Sequence, residues 1–261
     1  MTSLHLALAL GTSVGALLLT PQGDDSYTGT WKLNVAKSKF TGRRDKVAAA
    51  GANAWTFSYG TSSWTVKTDG SDTPTPFGNT VALQAESPTT WRFSWKAPNG
   101  QALATETWTL SADGKSMSRV SSGTRESGER FSDTTQMKRV AGTQGFAGTW
   151  ETAVVKISAP TDFTARATAT GLDFKVPAEN FSFTCSYDGK PNATHGPRVP
   201  AGQTVACTKR GKSVQFIVKI GDKTFTTIDW SISADGKQLT STAHDTGVPE
   251  PYVGVYDRVA K

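Results

Sequence analysis

The chain has 261 residues, enough for one large β domain or for two domains of about 120 residues each. Apolar residues make up 36% and charged residues 19% of the chain, and this balance excludes a disordered, collagen-like or multi-span membrane protein. The net charge is +6, and 38 threonines, 12 phenylalanines and 8 tryptophans favour β structure, because branched and aromatic side chains suit a pleated, half-buried surface.

The N-terminal segment has the pattern of an export signal. Residues 1–23 contain no Lys, Arg, Asp or Glu, and residues 4–19 form an apolar run that is shorter than the roughly 20 residues of a membrane span. The basic flank is weak and residues 21–23 are a poor cleavage site, yet the run still favours a signal peptide over residues 1–23. The mature protein is therefore expected to be secreted or periplasmic in a bacterium, without an integral membrane segment.

The rest of the chain contains one unit twice. Gly-Thr-Trp at residues 29–31 recurs at residues 148–150, and Arg-Val-Ala at residues 139–141 recurs at residues 258–260, both 119 positions later. Three further matches lie between them in the same order, which indicates a duplication. We therefore expect two domains, residues 24–141 and residues 146–261, joined by a short Gly-containing linker.

Each copy has the pattern of an antiparallel barrel. Asp-Gly and Asn-Gly steps mark tight hairpin turns, and the runs between them alternate, as where Trp91, Phe93 and Trp95 share one strand face. Counting such runs predicts an all-β fold of two tandem antiparallel barrels with about eight strands each. Residues 45–52 and 161–170 are the most helix-like segments and predict a short helix after the first strand of each copy. A barrel of this size can be filled by its own side chains or can hold one small ligand.

The only two cysteines, Cys185 and Cys207, lie 22 residues apart in the second copy. The repeat aligns them with Val66 and Leu83, which are apolar, so both cysteines are expected on the core side of nearby strands. In an oxidising compartment they would form a disulfide. The alternative is a pair of reduced core cysteines, since free cysteine also behaves as a small apolar residue.

The opening strands and the closing residues 255–259 resemble the first and last strands of the calycin superfamily. More closely, residues 29–40 are similar to a group of secreted bacterial lipocalin-like proteins without an assigned activity. The resemblance implies that each Gly-x-Trp tryptophan packs on the barrel floor near a basic residue of the last strand, pairing Trp31 with Arg139 and Trp150 with Arg258. The Arg-x-Tyr carboxylate clamp of fatty-acid binders is absent from both copies, which leaves neutral or aromatic ligands.

A ligand site is expected in the first copy, which holds six of the eight tryptophans. Its candidate residues are Trp91, Phe93, Trp95, Glu106 and Trp108. Counting by twos from Trp108 puts Glu106 on the same strand face, whereas the second copy has Ile228 there. Inside a barrel this carboxyl would have a raised pKa or a partner such as Arg139. The alternative is that this strand face is only partly buried and that Glu106 lies at its solvent-exposed rim.

No catalytic motif stands out, so we expect no enzyme activity and no cofactor. His195 and His244 have no second ligand at metal-binding spacing, so no metal site is expected. The basic residues 37–46 could bind phosphates, but a solvated loop explains them equally well, and no nucleic-acid partner is predicted. The sequence favours an exported protein that binds a small apolar or aromatic molecule. The alternative is a structural module with filled barrels that meets a protein or glycan, and an empty interior above about 300 Å³ would favour the ligand.

Overall fold

The computed structural model describes residues 25–142 and 144–260, so the expected signal peptide lies outside the described residues. The fold is all-β. Its twenty strands are β1 Gly29–Leu33, β2 Arg44–Ala49, β3 Ala54–Tyr59, β4 Ser62–Lys67, β5 Thr73–Pro74, β6 Thr80–Ser87, β7 Thr90–Lys96, β8 Ala102–Leu110, β9 Ser116–Thr124, β10 Arg130–Ala141, β11 Gly148–Lys156, β12 Asp162–Ala167, β13 Gly171–Val176, β14 Phe181–Ser186, β15 Asp188–His195, β16 Gln203–Arg210, β17 Ser213–Ile220, β18 Lys223–Ile232, β19 Gln238–Asp245 and β20 Tyr252–Ala260.

The strands form two antiparallel barrel-like sheets of ten strands each, where about eight were expected. One sheet, here called the second barrel, is closed and consists of β1 and β12–β20. The other, here called the first barrel, runs in the order β4-β3-β2-β11-β10-β9-β8-β7-β6-β5 and is nearly closed. Each barrel has its own aromatic core.

The prediction of a short helix after the first strand of each copy is wrong. Residues 45–52 and 161–170 contain β2 and β12, and the described residues hold only three single-turn 3₁₀ helices, Asp25–Tyr27, Val35–Lys37 and Pro177–Glu179. The reason is a period of two: in β12, Phe163 and Ala165 are buried while the residues between them are more exposed. Alanine favours a helix locally, but burying one face of the strand in a barrel outweighs that preference.

The two Gly-Thr-Trp strands are exchanged between the barrels. Strand β1 of the first copy pairs with β12 and β20 of the second barrel, and β11 of the second copy pairs with β2 and β10 of the first barrel. The first barrel is therefore the continuous segment 44–156, inserted between β1 and β12. The expected division at residues 141–146 does not separate the barrels, because the strands on either side of it, β10 and β11, pair with each other in the first barrel.

The exchange also corrects the expected floor pairs. The Arg258 guanidinium lies 4.3 Å from the Trp31 ring centre, and that of Arg139 lies 4.2 Å from the Trp150 ring centre. Each indole N–H donates to a backbone carbonyl four residues earlier, of Tyr27 at 3.0 Å in one barrel and of Phe146 at 2.9 Å in the other. The kind of contact is the expected one, but the partners are swapped. Both strands carry the same Gly-Thr-Trp, so the sequence does not specify which barrel receives which strand.

The disulfide between Cys185 and Cys207 is confirmed. The two sulfurs are bonded, with the Cα atoms 6.0 Å apart. Cross-strand register places Cys185 opposite Leu172 and Cys207 opposite Phe216, just as Val66 lies opposite Trp55 and Leu83 opposite Phe93 in the first barrel. The bond links β14 to β16 within the core of the second barrel.

The first barrel has an open seam between β4 and β5. By register with β6 and β16, Pro74 and Pro76 stand where the second barrel has Ala193 and His195. His195 pairs with Ser182 of β14 and helps to close that barrel. Proline has no N–H to donate to a ladder, so β5 is only two residues long and does not pair with β4.

Candidate functional site

The first barrel contains a partly open cavity of about 230 Å³. Its wall is mostly aromatic, with a few charged and polar groups at one side. The lining residues are Asp45, Lys46, Phe57, Ser58, Tyr59, Trp64, Phe77, Phe93, Trp95, Glu106, Trp108 and Arg119. This volume is smaller than the roughly 300 Å³ at which sites for drug-sized ligands begin, so the cavity suits a smaller molecule.

Strand alternation builds the aromatic wall. Phe93 on β7 and Trp108 on β8 are buried, and their ring centres are 4.6 Å apart. Phe57 on β3 meets both rings edge-on at 5.7 Å. Such edge-to-face packing holds rings in fixed orientations, so these three side chains form a rigid surface beside the cavity.

Glu106 faces this interior. It lies opposite Phe93 in the β7–β8 ladder, and its Oε2 accepts a hydrogen bond of 3.2 Å from the Trp95 indole N–H. Protein surrounds the carboxyl except where it lines the cavity. Burial raises the pKa of Glu106 above its usual value, while Arg119 and the indole N–H groups of Trp108 and Trp95 favour the ionised form and oppose that rise.

The cation beside Glu106 is Arg119 of β9, not Arg139 as the sequence suggested. Arg139 is occupied at the barrel floor, where it donates to the carbonyls of Gly114 and Ala147. The Arg119 guanidinium lies 3.8 Å from the Trp108 ring centre, and its Nη1 donates to Oδ2 of Asp45 on β2. Both partners of this ion pair are largely buried. The interior of the first barrel thus holds one guanidinium and two carboxyl groups.

The structure brings together four of the five candidate ligand residues. Phe93, Trp95, Glu106 and Trp108 line the cavity. Trp91 does not line it: its ring is buried against Phe146, with ring centres 3.8 Å apart. Trp91 is therefore part of the packed core.

Sequence reasoning missed the charged pair at this site. Arg119 lies two residues after the buried Met117 on β9, so the same alternation that pointed to Glu106 also places Arg119 inside. Asp45 was missed because residues 45–52 were predicted to form a helix, so its position on an interior strand face was not considered. The aromatic residues Phe57, Trp64 and Phe77 were missed for a different reason, since tryptophan and phenylalanine in short strands are as common in filled cores as in pockets.

Tyr59 and Phe77 lie at the side of the cavity that faces the second barrel. The Phe77 ring is 5.3 Å from Trp64 in the first barrel and 5.3 Å from Phe225 in the second. The Tyr59 hydroxyl donates to Oδ2 of Asp245 on β19 at 2.7 Å. Both residues also line a groove of about 620 Å³ between the barrels, so the cavity and the groove share a wall.

The basic residues 37–46 do not form a free cationic patch. Within this run, Lys37, Lys39, Arg43 and Arg44 each pair with a carboxylate, of Asp257, Glu250, Asp245 and Glu151 respectively. Three of these carboxylates belong to the second barrel. The run therefore helps to join the barrels, and this observation does not favour a phosphate site.

No helix in residues 25–142 and 144–260 is long and apolar enough to cross a membrane. Over the same part of the chain, no three His, Cys, Asp or Glu side chains come together as a metal site requires.

Comparison with known proteins adds no relative: no protein-family model, curated protein or solved structure matches the chain.

Proposed function

We propose that this protein is a non-catalytic, exported binding protein of the lipocalin-like type, and that its first barrel holds one small apolar or aromatic molecule. The cavity beside Phe93, Glu106 and Trp108 is the observation that carries the proposal. An engineered apolar cavity of about 150 Å³ in another protein binds benzene. A space of about 230 Å³ therefore suits a molecule with one or two fused rings.

The second barrel supports this assignment by contrast. At the position of Asp45 it has Phe163, whose ring centre is 5.1 Å from both Phe174 and Trp230. At the positions of Glu106 and Arg119 it has Ile228 and Ser241. Phe163 is larger than Asp45 and Ile228 is apolar where Glu106 is polar, whereas Ser241 is smaller than Arg119, so Phe163 is the residue that takes up space left open in the first barrel.

The proposed export rests on two features. Residues 1–23 have the pattern of a signal peptide, and the disulfide between Cys185 and Cys207 is compatible with an oxidising compartment. In this proposal the first barrel is the binding domain and the second barrel is a crosslinked support.

The alternative function is a structural or interaction module. The packed interior of the second barrel favours it for that barrel, because Phe163, Phe183, Phe216 and Trp230 belong to one buried cluster, against which Phe174 and other partly buried residues pack. If both barrels behave as filled modules, the protein would act through its outer surface.

The test compares the wild type with a variant that carries the second barrel's interior residues, Asp45→Phe/Glu106→Ile/Arg119→Ser. Native mass spectrometry of protein taken from its own host should show a small molecule on the wild type, and titration with naphthalene should quench its tryptophan fluorescence. The variant should do neither while keeping a cooperative melt.

Arg92→Ser is the matched control, since Arg92 lies on the outer face of β7 in an exposed ion pair with Glu86. It should bind as the wild type does. If the folded wild type retains no molecule and binds no aromatic probe, the binding function is wrong and the module with filled barrels replaces it.

A further inference from the structure

The cavity lies at the end of the first barrel that faces the second barrel. The opposite end is closed at the floor, where the Trp91 ring stacks on Phe146 and the Arg139 guanidinium covers the Trp150 ring. Between the two ends, the wall consists of hydrogen-bonded strands apart from the seam between β4 and β5. A ligand therefore enters at the end that the second barrel covers.

The second barrel closes much of the rim at this end. The backbone N–H of Thr61 donates to the Thr246 carbonyl at 3.2 Å, and that of Ser127 donates to the Ala178 carbonyl at 3.0 Å. Ion pairs join the same two rims between Arg43 and Asp245, Arg125 and Glu179, and Arg198 and Glu126. The entrance must therefore lie in a gap between these contacts.

The gap beside the cavity is the groove of about 620 Å³ between the barrels, which shares Tyr59 and Phe77 with the cavity wall. Tyr59 is held by the hydrogen bond from its hydroxyl to Asp245. Phe77 is half-buried and is held by two edge-on ring contacts at 5.3 Å, with Trp64 in the first barrel and Phe225 in the second. The Phe77 ring is therefore the part of the shared wall that can move without breaking a hydrogen bond.

The backbone that carries Phe77 is fixed. The Thr75 N–H donates to the Asn79 carbonyl at 2.9 Å, and the Gly78 N–H donates to the Thr75 carbonyl at 3.2 Å, which closes the turn on itself. A Cβ on Gly78 would lie 2.5 Å from Cβ of Pro200, so the turn lies directly against the second barrel. A change of side-chain rotamer at Phe77 is therefore a simpler opening motion than displacement of the turn.

We infer that ligands enter the first barrel from the groove between the barrels, and that Phe77 and Phe225 form the gate. Phe225 begins the apolar part of β18 and is not part of the cavity wall. The second barrel would thus control how fast a ligand reaches a site that it does not line. This inference rests on the proposed binding function and adds the entry route and its control.

Phe225→Ala is the main test, because it weakens the gate without removing a contact with the ligand. Stopped-flow tryptophan fluorescence with naphthalene gives the association and dissociation rate constants. Loss of one aromatic contact should raise both constants by the same factor, about two- to tenfold, and leave Kd unchanged. Phe77→Ala should also raise the association rate constant, whereas loss of a ligand contact alone would act mainly on dissociation.

Phe131→Ala is the matched control. Phe131 is a half-buried phenylalanine at the same end of the first barrel, where its ring centre lies 5.0 Å from the Arg125 guanidinium, and it is not part of the cavity or groove wall. Both of its rate constants should equal those of the wild type. If it accelerates association as much as Phe225→Ala, the barrels separate as a whole and the gate is wrong.

A second measurement does not depend on removing a ring. Ser63 is exposed in the groove, and Thr65 is the next outward residue of the same strand, β4. Reaction of Ser63→Cys with N-cyclohexylmaleimide places a bulky group in the groove and should slow naphthalene association at least twofold to tenfold, by about the factor expected for the gate. The same reaction on Thr65→Cys should leave association unchanged.

The outcomes separate the entry route from the function beneath it. If naphthalene binds the wild type but its association rate is unchanged in Phe225→Ala, or in Ser63→Cys after the reaction, the gate is wrong and the binding function stands. If the folded wild type binds no naphthalene, the binding function itself fails.

Discussion

The two barrels have the same strand pattern and each has an aromatic core, yet the side chains at three equivalent interior positions differ in chemical type. The first barrel has Asp45, Glu106 and Arg119 where the second has Phe163, Ile228 and Ser241. The tryptophan beside them is kept in both. One barrel thus has a packed interior and the other a polar, partly empty one, and the packed barrel serves as an internal reference for the proposed binding site.

A second difference concerns closure. The second barrel is closed and crosslinked by Cys185–Cys207, whereas the first has an open seam and the apolar pair Val66 and Leu83 at the cysteine positions. Parts of a protein that admit ligands belong to its less stable regions. The seam, the cavity and the absent crosslink occur in the same barrel, which agrees with a division between a binding barrel and a supporting one.

The largest effect on stability is expected when the first barrel is produced as a separate fragment, because the result depends on where the chain is divided. Fragment 44–156 contains all ten strands of the first barrel, so it should fold alone and melt cooperatively. Fragment 24–141 lacks β11, and its interior lacks Trp150, so it should melt at a markedly lower temperature. Circular dichroism melts of the two purified fragments test this.

The opposite result would also be informative. If fragment 24–141 were as stable as fragment 44–156, β1 must be able to take the place of β11, with Trp31 of its Gly-Thr-Trp at the position of Trp150. The exchange of strands would then be one of two accessible arrangements, and the division at residues 141–146 would be restored for the isolated half.

The next largest effect on stability is expected from removal of the disulfide. Replacing Cys185 and Cys207 by the first barrel's residues, in Cys185→Val/Cys207→Leu, opens a loop of 22 residues and should destabilise the second barrel by about 3 kcal/mol. Calorimetry should show the transition of the second barrel moving to lower temperature while naphthalene binding by the first barrel is unchanged. Equal stability of the variant and the wild type would mean that the packed core, not the disulfide, sets the stability of this barrel.

A smaller effect is expected at the seam. Pro74→Ala/Pro76→His gives β5 the residues of β15 and restores two N–H donors, each worth about 1 kcal/mol once bonded to β4. Hydrogen exchange should then slow at Ser63 and Trp64, and ligand association should become slower if the seam admits the ligand. Unchanged exchange would show that something other than the prolines keeps the edges apart.

The all-β class, the duplication and the disulfide could be predicted because each depends on local chemistry. Alternation placed Phe93, Glu106 and Trp108 on one face, and the repeat placed Cys185 and Cys207 on the core side. The exchange of β1 and β11 could not be predicted, because both strands begin with the same Gly-Thr-Trp. Asp45 was missed because the segment that carries it has helix propensity, and only the closure of the barrel makes it a strand.

The smallest effect, and the one most specific to the cavity, is the pH dependence due to Glu106. Burial raises the pKa of this carboxyl above 4.5, its ordinary value. Between 4.5 and the raised value the folded protein keeps a proton that the unfolded chain has released, so the contribution of Glu106 to stability falls as the pH rises through this window and is constant outside it. Arg119 and two indole N–H groups oppose the shift, which limits the size of the effect.

Glu106→Gln removes this titration while keeping the shape of the side chain and a neutral group inside the barrel. The variant should match the wild type below pH 4.5 and become the more stable protein as the pH rises, and urea denaturation at several pH values measures the difference. Glu86→Gln, on the exposed outer face, is the matched control. A difference between Glu106→Gln and the wild type that is the same at every pH would mean that Glu106 titrates as it does in the unfolded chain. The first barrel would then hold an ionised carboxylate, and a cation would become the better ligand.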